Sequence, residues 1–137
     1  METSQEIKER MKQIYTMMEQ GDAEAIKTVF SSHSGVRAIG TDPNEWWQGG
    51  EQITSVFLKQ LEEMKGISIV KSNPEAFNSG ATGWAADNAV FKLGDIKIPM
   101  RVTAVFNKEQ NDWKVVQWHT SMGVSNEEAI GKELSME

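Results

Sequence analysis

Residues 96–122 read IKIPMRVTAVFNKEQNDWKVVQWHTSM, two strand-length runs of alternating character joined by a turn at Asn111 and Asp112. Adjacent side chains on a strand project to opposite faces. In the first run Met100, Val102, Ala104 and Phe106 oppose Arg101, Thr103, Val105 and Asn107. In the second, Val116, Trp118, Thr120 and Met122 oppose Val115, Gln117, His119 and Ser121. The first set of each run is the more apolar, and it is expected to face a core.

The period of two extends upstream. ISIVKSNPEAFNSG (67–80) and ATGWAADNAVFKL (81–93) are two further strand candidates. Pro74 and Pro99 each remove a backbone donor, which points to an edge position or a bulge. For 81–93 composition hardly separates Ala85, Asp87, Ala89 and Phe91 from Trp84, Ala86, Asn88 and Val90. We take the former as inner, which places the Asp87 carboxyl group inside.

Before Ile67 the period is helical. Ile7, Met11, Ile14 and Met18 make one stripe, opened by the capping-box pattern T-S-Q-E at Thr3–Glu6 and closed by Gly21. Asp22 is placed to cap a short second helix that buries Ala25, Ile26, Val29 and Phe30. A short strand, GVRAIGT, leads into a loop from Asp42 to Gly50. A third helix then carries Ile53, Val56, Phe57, Leu61 and Met64 on one face as far as Gly66. Residues 125–137 are polar and read as a short helix or tail. Helices followed by sheet is the α+β pattern. Residues 1–137 are expected to form one domain, with three N-terminal helices on a mainly antiparallel sheet.

Composition removes whole classes of chemistry. Without cysteine there is no disulfide, zinc–thiolate site, iron–sulfur cluster or thiol nucleophile. The net charge of −6 and the scattered lysines and arginines argue against a nucleic-acid partner. No apolar run approaches the ~20 residues that span a bilayer, so no membrane partner is expected. The opening METSQEIKER lacks the basic and apolar regions of a signal peptide, and a cytoplasmic location is expected.

On the outer face of the sheet, Arg101, Thr103, Gln117, His119 and Ser121 form a hydrogen-bonding band mixed with Val105 and Val115. Such a mixture suits a subunit interface, and a homodimer through this face is expected.

Three stretches, GTDPNEWWQGGEQI (40–53), RVTAVFNKEQNDWKVVQWHTS (101–121) and MGVSNEEAIGKEL (122–134), resemble the SnoaL-like branch of the nuclear-transport-factor-2-like superfamily. The resemblance implies a cystatin-like cone, a strongly curved sheet wrapped around a long helix with a pocket in its mouth, and pairing of two copies through the sheet. Members serve as cyclases, isomerases, dehydratases, hydrolases, adaptors and assembly domains, so the fold alone names no reaction.

Resemblance to the ketosteroid isomerases implies a proton-shuttling role for Asp42, since Asp42-Pro43 matches an Asp-Pro pair ahead of the third helix there. The plain reading of Asp42 is a turn residue. That isomerase also needs a first-helix tyrosine and a second, protonated acid. Tyr15 lies one residue out of register with it, and Ile98–Phe106 contains no acid. Steroid isomerisation is therefore not expected. His119 falls on the outer face by strand alternation and reads as an interface residue rather than a catalytic one. Ser121 and His119 project in parallel and make no triad. His33 lies in a polar loop, and two separated histidines give no metal site.

Trp46 and Trp47 are neighbours and cannot both enter one core, so at least one is expected at a pocket or an interface. Trp118 faces inwards beside Met100 and Thr120. The expected pocket comprises Tyr15, Asp42, Trp47, Asp87, Met100, Trp118 and Thr120, with Asp42 or Asp87 as the proton carrier of a cofactor-independent enzyme acting on a small, largely apolar organic molecule. The alternative is a non-catalytic dimerisation, assembly or adaptor module. No cofactor and no metal are implied.

Overall fold

The computed structural model describes residues 1–137. In chain order the elements are β1 (Glu2–Thr3), α1 (Gln5–Gln20), α2 (Ala23–Ile26), β2 (Arg37–Ile39), β3 (Trp46–Gln48), α3 (Gly50–Glu63), β4 (Ser68–Lys71), β5 (Glu75–Ser79), β6 (Thr82–Leu93), β7 (Ile96–Glu109), β8 (Asp112–Ser121) and α4 (Asn126–Ile130). All eight strands join one curved sheet in the order β1-β5-β6-β7-β8-β2-β3, with β4 also pairing to β6. Every pairing is antiparallel except β2 with β8. No helix is long and apolar enough to cross a membrane.

The first helix forms as its stripe predicts. Ile7, Met11, Ile14 and Met18 are buried together with Tyr15. Gly21 adopts φ +61° at its end, where a left-handed residue closes the last turn. The cap differs from expectation: Ser4, not Thr3, accepts from the Ile7 N–H. Thr3 is committed to β1, where it pairs with Phe77 of β5. Asp22 caps α2 as expected, accepting from the Ala25 N–H.

The 67–80 run is two strands, not one. The chain breaks at Ser72–Pro74, and β4 and β5 lie end to end along the same side of β6. Pro99 lies past the end of β8, whose last partner on β7 is Arg101. There β7 is locally an edge, so the missing donor breaks no second ladder.

In β6 the chosen register holds: Ala85, Asp87, Ala89 and Phe91 are all buried. In β7 Val102, Ala104 and Phe106 are buried, as alternation predicts. In β8 strict alternation fails. Trp118 is buried, but so are Val115 and Trp113, whereas Val116 is only half-buried. The register explains it, because Val105 pairs with Gln117 while Phe106 pairs with Val115. Val116 is a bulge residue, and one unpaired residue reverses the faces of the strand on either side of it. Met122, expected to face inwards, lies beyond the strand end and is exposed.

A further departure is the loop expected from Asp42 to Gly50, which contains β3. Trp46, Trp47 and Gln48 fold back antiparallel on Ile39, Ala38 and Arg37. The hairpin leads directly into α3, whose first residue, Gly50, is buried against Ser31. A Cβ at Gly50 would lie 1.8 Å from the Ser31 carbonyl oxygen, so this approach admits only glycine. Gly50→Ala is expected to destabilise the fold by about 2–3 kcal/mol, read as a lowered urea midpoint at unchanged m-value. A loss below about 0.5 kcal/mol would mean that the α3 entry is not packed against Ser31 in this way.

Candidate functional site

A cavity of about 250 Å³ opens between α3, the β2–β3 hairpin and the far end of the β6–β7–β8 face. Its walls are apolar. Met18 comes from the last turn of α1, Phe57 and Met64 from α3, Trp47 from β3, Phe91 and Leu93 from β6, Ile98 and Met100 from β7, and Trp118 from β8. Phe57 anchors the wall, packing edge-on against both Phe30 and Trp118 at centroid distances of 5.5 and 6.2 Å.

The polar lining groups are few: Thr41, Glu45, Gln60, Glu63 and Thr120. Glu45 is half-buried and held at both oxygens. Its Oε2 accepts from Gln60 Nε2 at 2.6 Å, and its Oε1 accepts from the Asp42 N–H at 2.9 Å. Two donors fix the direction of that carboxylate, as a preorganised polar group requires. No group of three or more His, Cys, Asp or Glu side chains converges as a metal site.

Of the seven residues expected in the pocket, Trp47, Met100, Trp118 and Thr120 line this cavity. Asp42 does not. It is exposed at the hairpin turn, and its Oδ1 accepts from the Asn44 N–H, the local bond of a turn-forming aspartate. The carboxylate that the hairpin presents to the cavity is Glu45. Tyr15 and Asp87 also lie outside it, behind Phe91, which meets the Tyr15 ring edge-on at 5.9 Å.

Asp87 is nonetheless inside the fold. Its Oδ2 accepts from the Tyr15 hydroxyl at 2.8 Å and its Oδ1 accepts from the Asn73 N–H at 3.0 Å. The break between β4 and β5 supplies that second donor, since a continuous edge strand would spend it on the ladder. Burial pushes the Tyr15 phenol well above its ordinary range, and donation to the Asp87 carboxylate adds to the shift. Asp87 is therefore buried away from the cavity with a partner on each oxygen, and reads as a structural carboxylate.

Glu45, Gln60 and Glu63 were not singled out from the sequence. Gln60 carried the legible signal: it falls three residues after Phe57 and four before Met64, a polar residue on an apolar stripe. The expected interface residues Arg101, Thr103, Gln117 and His119 are exposed on the outer face, with Ser121 half-buried. Thr103 lies opposite His119, and Arg101 Nε donates to Ser121 Oγ at 3.2 Å. Trp46, on the same face, is 61% exposed.

A helix-backed curved sheet with an apolar, one-ended cavity defines a cystatin-like, small-molecule-sized cone. The family model described as a SnoaL-like domain matches residues 7–125, and the chain belongs to that family. Among solved structures it is similar to an NTF2-like protein of unknown function from Pseudomonas putida KT2440, at 15% identity and TM-score 0.71, covering 98% of each chain. A protein of unknown function with a cystatin-like fold from Nostoc punctiforme PCC 73102 matches at 16% identity and TM-score 0.71, covering 91% of this chain and 97% of that one. A protein from Streptomyces avermitilis, proposed to be a dehydratase of the NTF2-like family, matches at 16% identity and TM-score 0.69, covering 82% and 89%. At such identities the likeness shows the fold. No curated protein matches the chain.

Tyr15 is the single tyrosine, so its titration can be followed alone. Its folded pKa lies above the unfolded value of about 10, and the unfolded chain releases that proton first. The contribution to stability is complete below pH 10 and is lost as pH rises beyond it. Tyrosinate absorbance should therefore appear only together with unfolding, and Tyr15→Phe should cost about 1–3 kcal/mol at neutral pH. Reversible ionisation of the folded chain near pH 10 would contradict the buried bond.

Proposed function

We propose that the chain is a cytoplasmic homodimer that binds a small, largely apolar organic molecule in this cavity. The observation that carries the reading is the cavity itself: about 250 Å³ of apolar and aromatic wall with its polar groups gathered on a few residues. The geometry favours binding over turnover by the carboxylates first considered. Asp42 is exposed at the turn, and Asp87 is buried outside the cavity. Any acid–base step in the cavity would fall to Glu45 or Glu63, the carboxylates that line it.

Pairing of two copies through the outer face of β7 and β8 is supported by the exposed band of Arg101, Thr103, Gln117 and His119 beside half-buried Val105. Row by row, Phe77 lies opposite Trp84, Trp84 opposite Val105, and Val105 opposite Gln117, so the band continues into aromatic surface on β5 and β6. An adaptor role has only this face in its favour, and self-pairing already accounts for it.

The neutral apolar fluorophore N-phenyl-1-naphthylamine should bind the native chain saturably, and Thr120→Trp, which fills the cavity from β8, should weaken it about tenfold or more. Absence of any saturable signal from the folded native chain would overturn the binding reading. In sedimentation the native chain should run as a dimer at micromolar concentration, and Thr103→Asp with Gln117→Asp should run as a monomer. A native monomer would remove the interface while leaving the cavity untouched.

A further inference from the structure

We infer that the ligand of this cavity is an organic cation: a hydrophobic amine whose ammonium group is received by Glu45. The inference rests on the binding reading above and names the ligand class. Four features of the cavity agree on its sign. The only charged side chains lining it are Glu45 and Glu63; no lysine, arginine or histidine faces it. α1 reaches it with its C-terminal turn, through Met18, and α3, which lines it from Ile53 onward, presents its polar groups Gln60 and Glu63 from its last turn. A helix C-terminus carries partial negative charge, and neither last turn holds a basic residue to offset it.

The third feature is hydrogen-bonding capacity. The Glu45 oxygens each accept one bond and have room for another, and no protein donor reaches Gln60 Oε1. The ligand must then bring donors, as an ammonium does and a carboxylate does not. Finally, Trp47, Phe57 and Trp118 line the walls, and aromatic faces attract cations. Glu63 is exposed and Glu45 half-buried, so the charged head would remain near water while the apolar body occupies the interior. Full desolvation of the charge is thereby avoided.

Calorimetric titration of the native chain with octylamine, 1-octanol and octanoate, below their aggregation limits at neutral pH, separates head-group charge from apolar body. Octylamine should bind about tenfold or more tightly than octanol, with octanoate weakest, and added salt should weaken the amine selectively. Glu45→Gln should lower octylamine affinity about tenfold and leave octanol within about threefold. If that variant fails to fold, Glu63→Gln, which touches neither Glu45 bond, should weaken the amine selectively. Equal or tighter binding of octanol or octanoate overturns the cation while the cavity reading stands. Binding of the neutral fluorophore without binding of octylamine does the same. No binding of any of these probes overturns both.

Discussion

The cavity exists because the sheet is longer than the helix that fills it. Fourteen residues of β7 extend about 46 Å, whereas sixteen residues of α1 extend about 24 Å. The inner face of β6 and β7 is apolar along most of this length. Ile7 meets β6 at Gly83, where a Cβ would collide with its Cδ1, and Tyr15 reaches Asp87 and Phe91. After Met18 the helix is spent. Phe91, Leu93, Ile98 and Met100 are left for α3 and the β2–β3 hairpin to cover, and these close the gap only in part.

The same mismatch locates polarity. Where α1 does cover the sheet, a carboxylate can be buried only if its oxygens are satisfied. Asp87 meets that condition through a hydroxyl from α1 and a backbone N–H released by the broken edge at Asn73. Where α1 is absent, the carboxylate of Glu45 stays half-buried and keeps acceptor capacity to spare. Each acid accepts one bond at each oxygen, and what separates them is access: Asp87 is buried beneath α1, whereas Glu45 borders the cavity.

How much of this was legible follows from how far each signal reaches. The inner register of β7 could be read because period-two alternation is local and the strand is regular there. In β6 both faces carry apolar residues, and composition hardly separates them. Met100, Trp118 and Thr120 were placed on the inner face by such parity, whereas Trp47 drew attention only because two adjacent tryptophans cannot both enter one core. The bulge at Val116 could not be read, since nothing in VVQW marks which residue drops out of the ladder; Val115 was consequently assigned to the wrong face. The β3 strand was hidden among turn-forming neighbours, and its pairing to β2 was not visible in its own composition. Asp42 drew attention through a resemblance, while Glu45, three residues on, is the side chain that the hairpin turns toward Gln60. The bond from Tyr15 to Asp87 joins segments far apart in sequence, and no local pattern predicts it.

The bulge has a consequence for how such a strand can change over generations. Val115 and Trp118 both face inwards although they are three residues apart, an odd spacing that only the unpaired Val116 permits. Loss of the Val116 codon would leave them two apart, and gain of one codon beside it would leave them four apart. Either event restores a regular ladder with every remaining side chain still on its own face. Loss of the His119 codon, by contrast, would turn Thr120 out and Ser121 in, rebuilding one wall of the cavity at a stroke. Among descendants of a common ancestor, insertions and deletions in this strand should therefore gather at Val116 and be purged a few residues later.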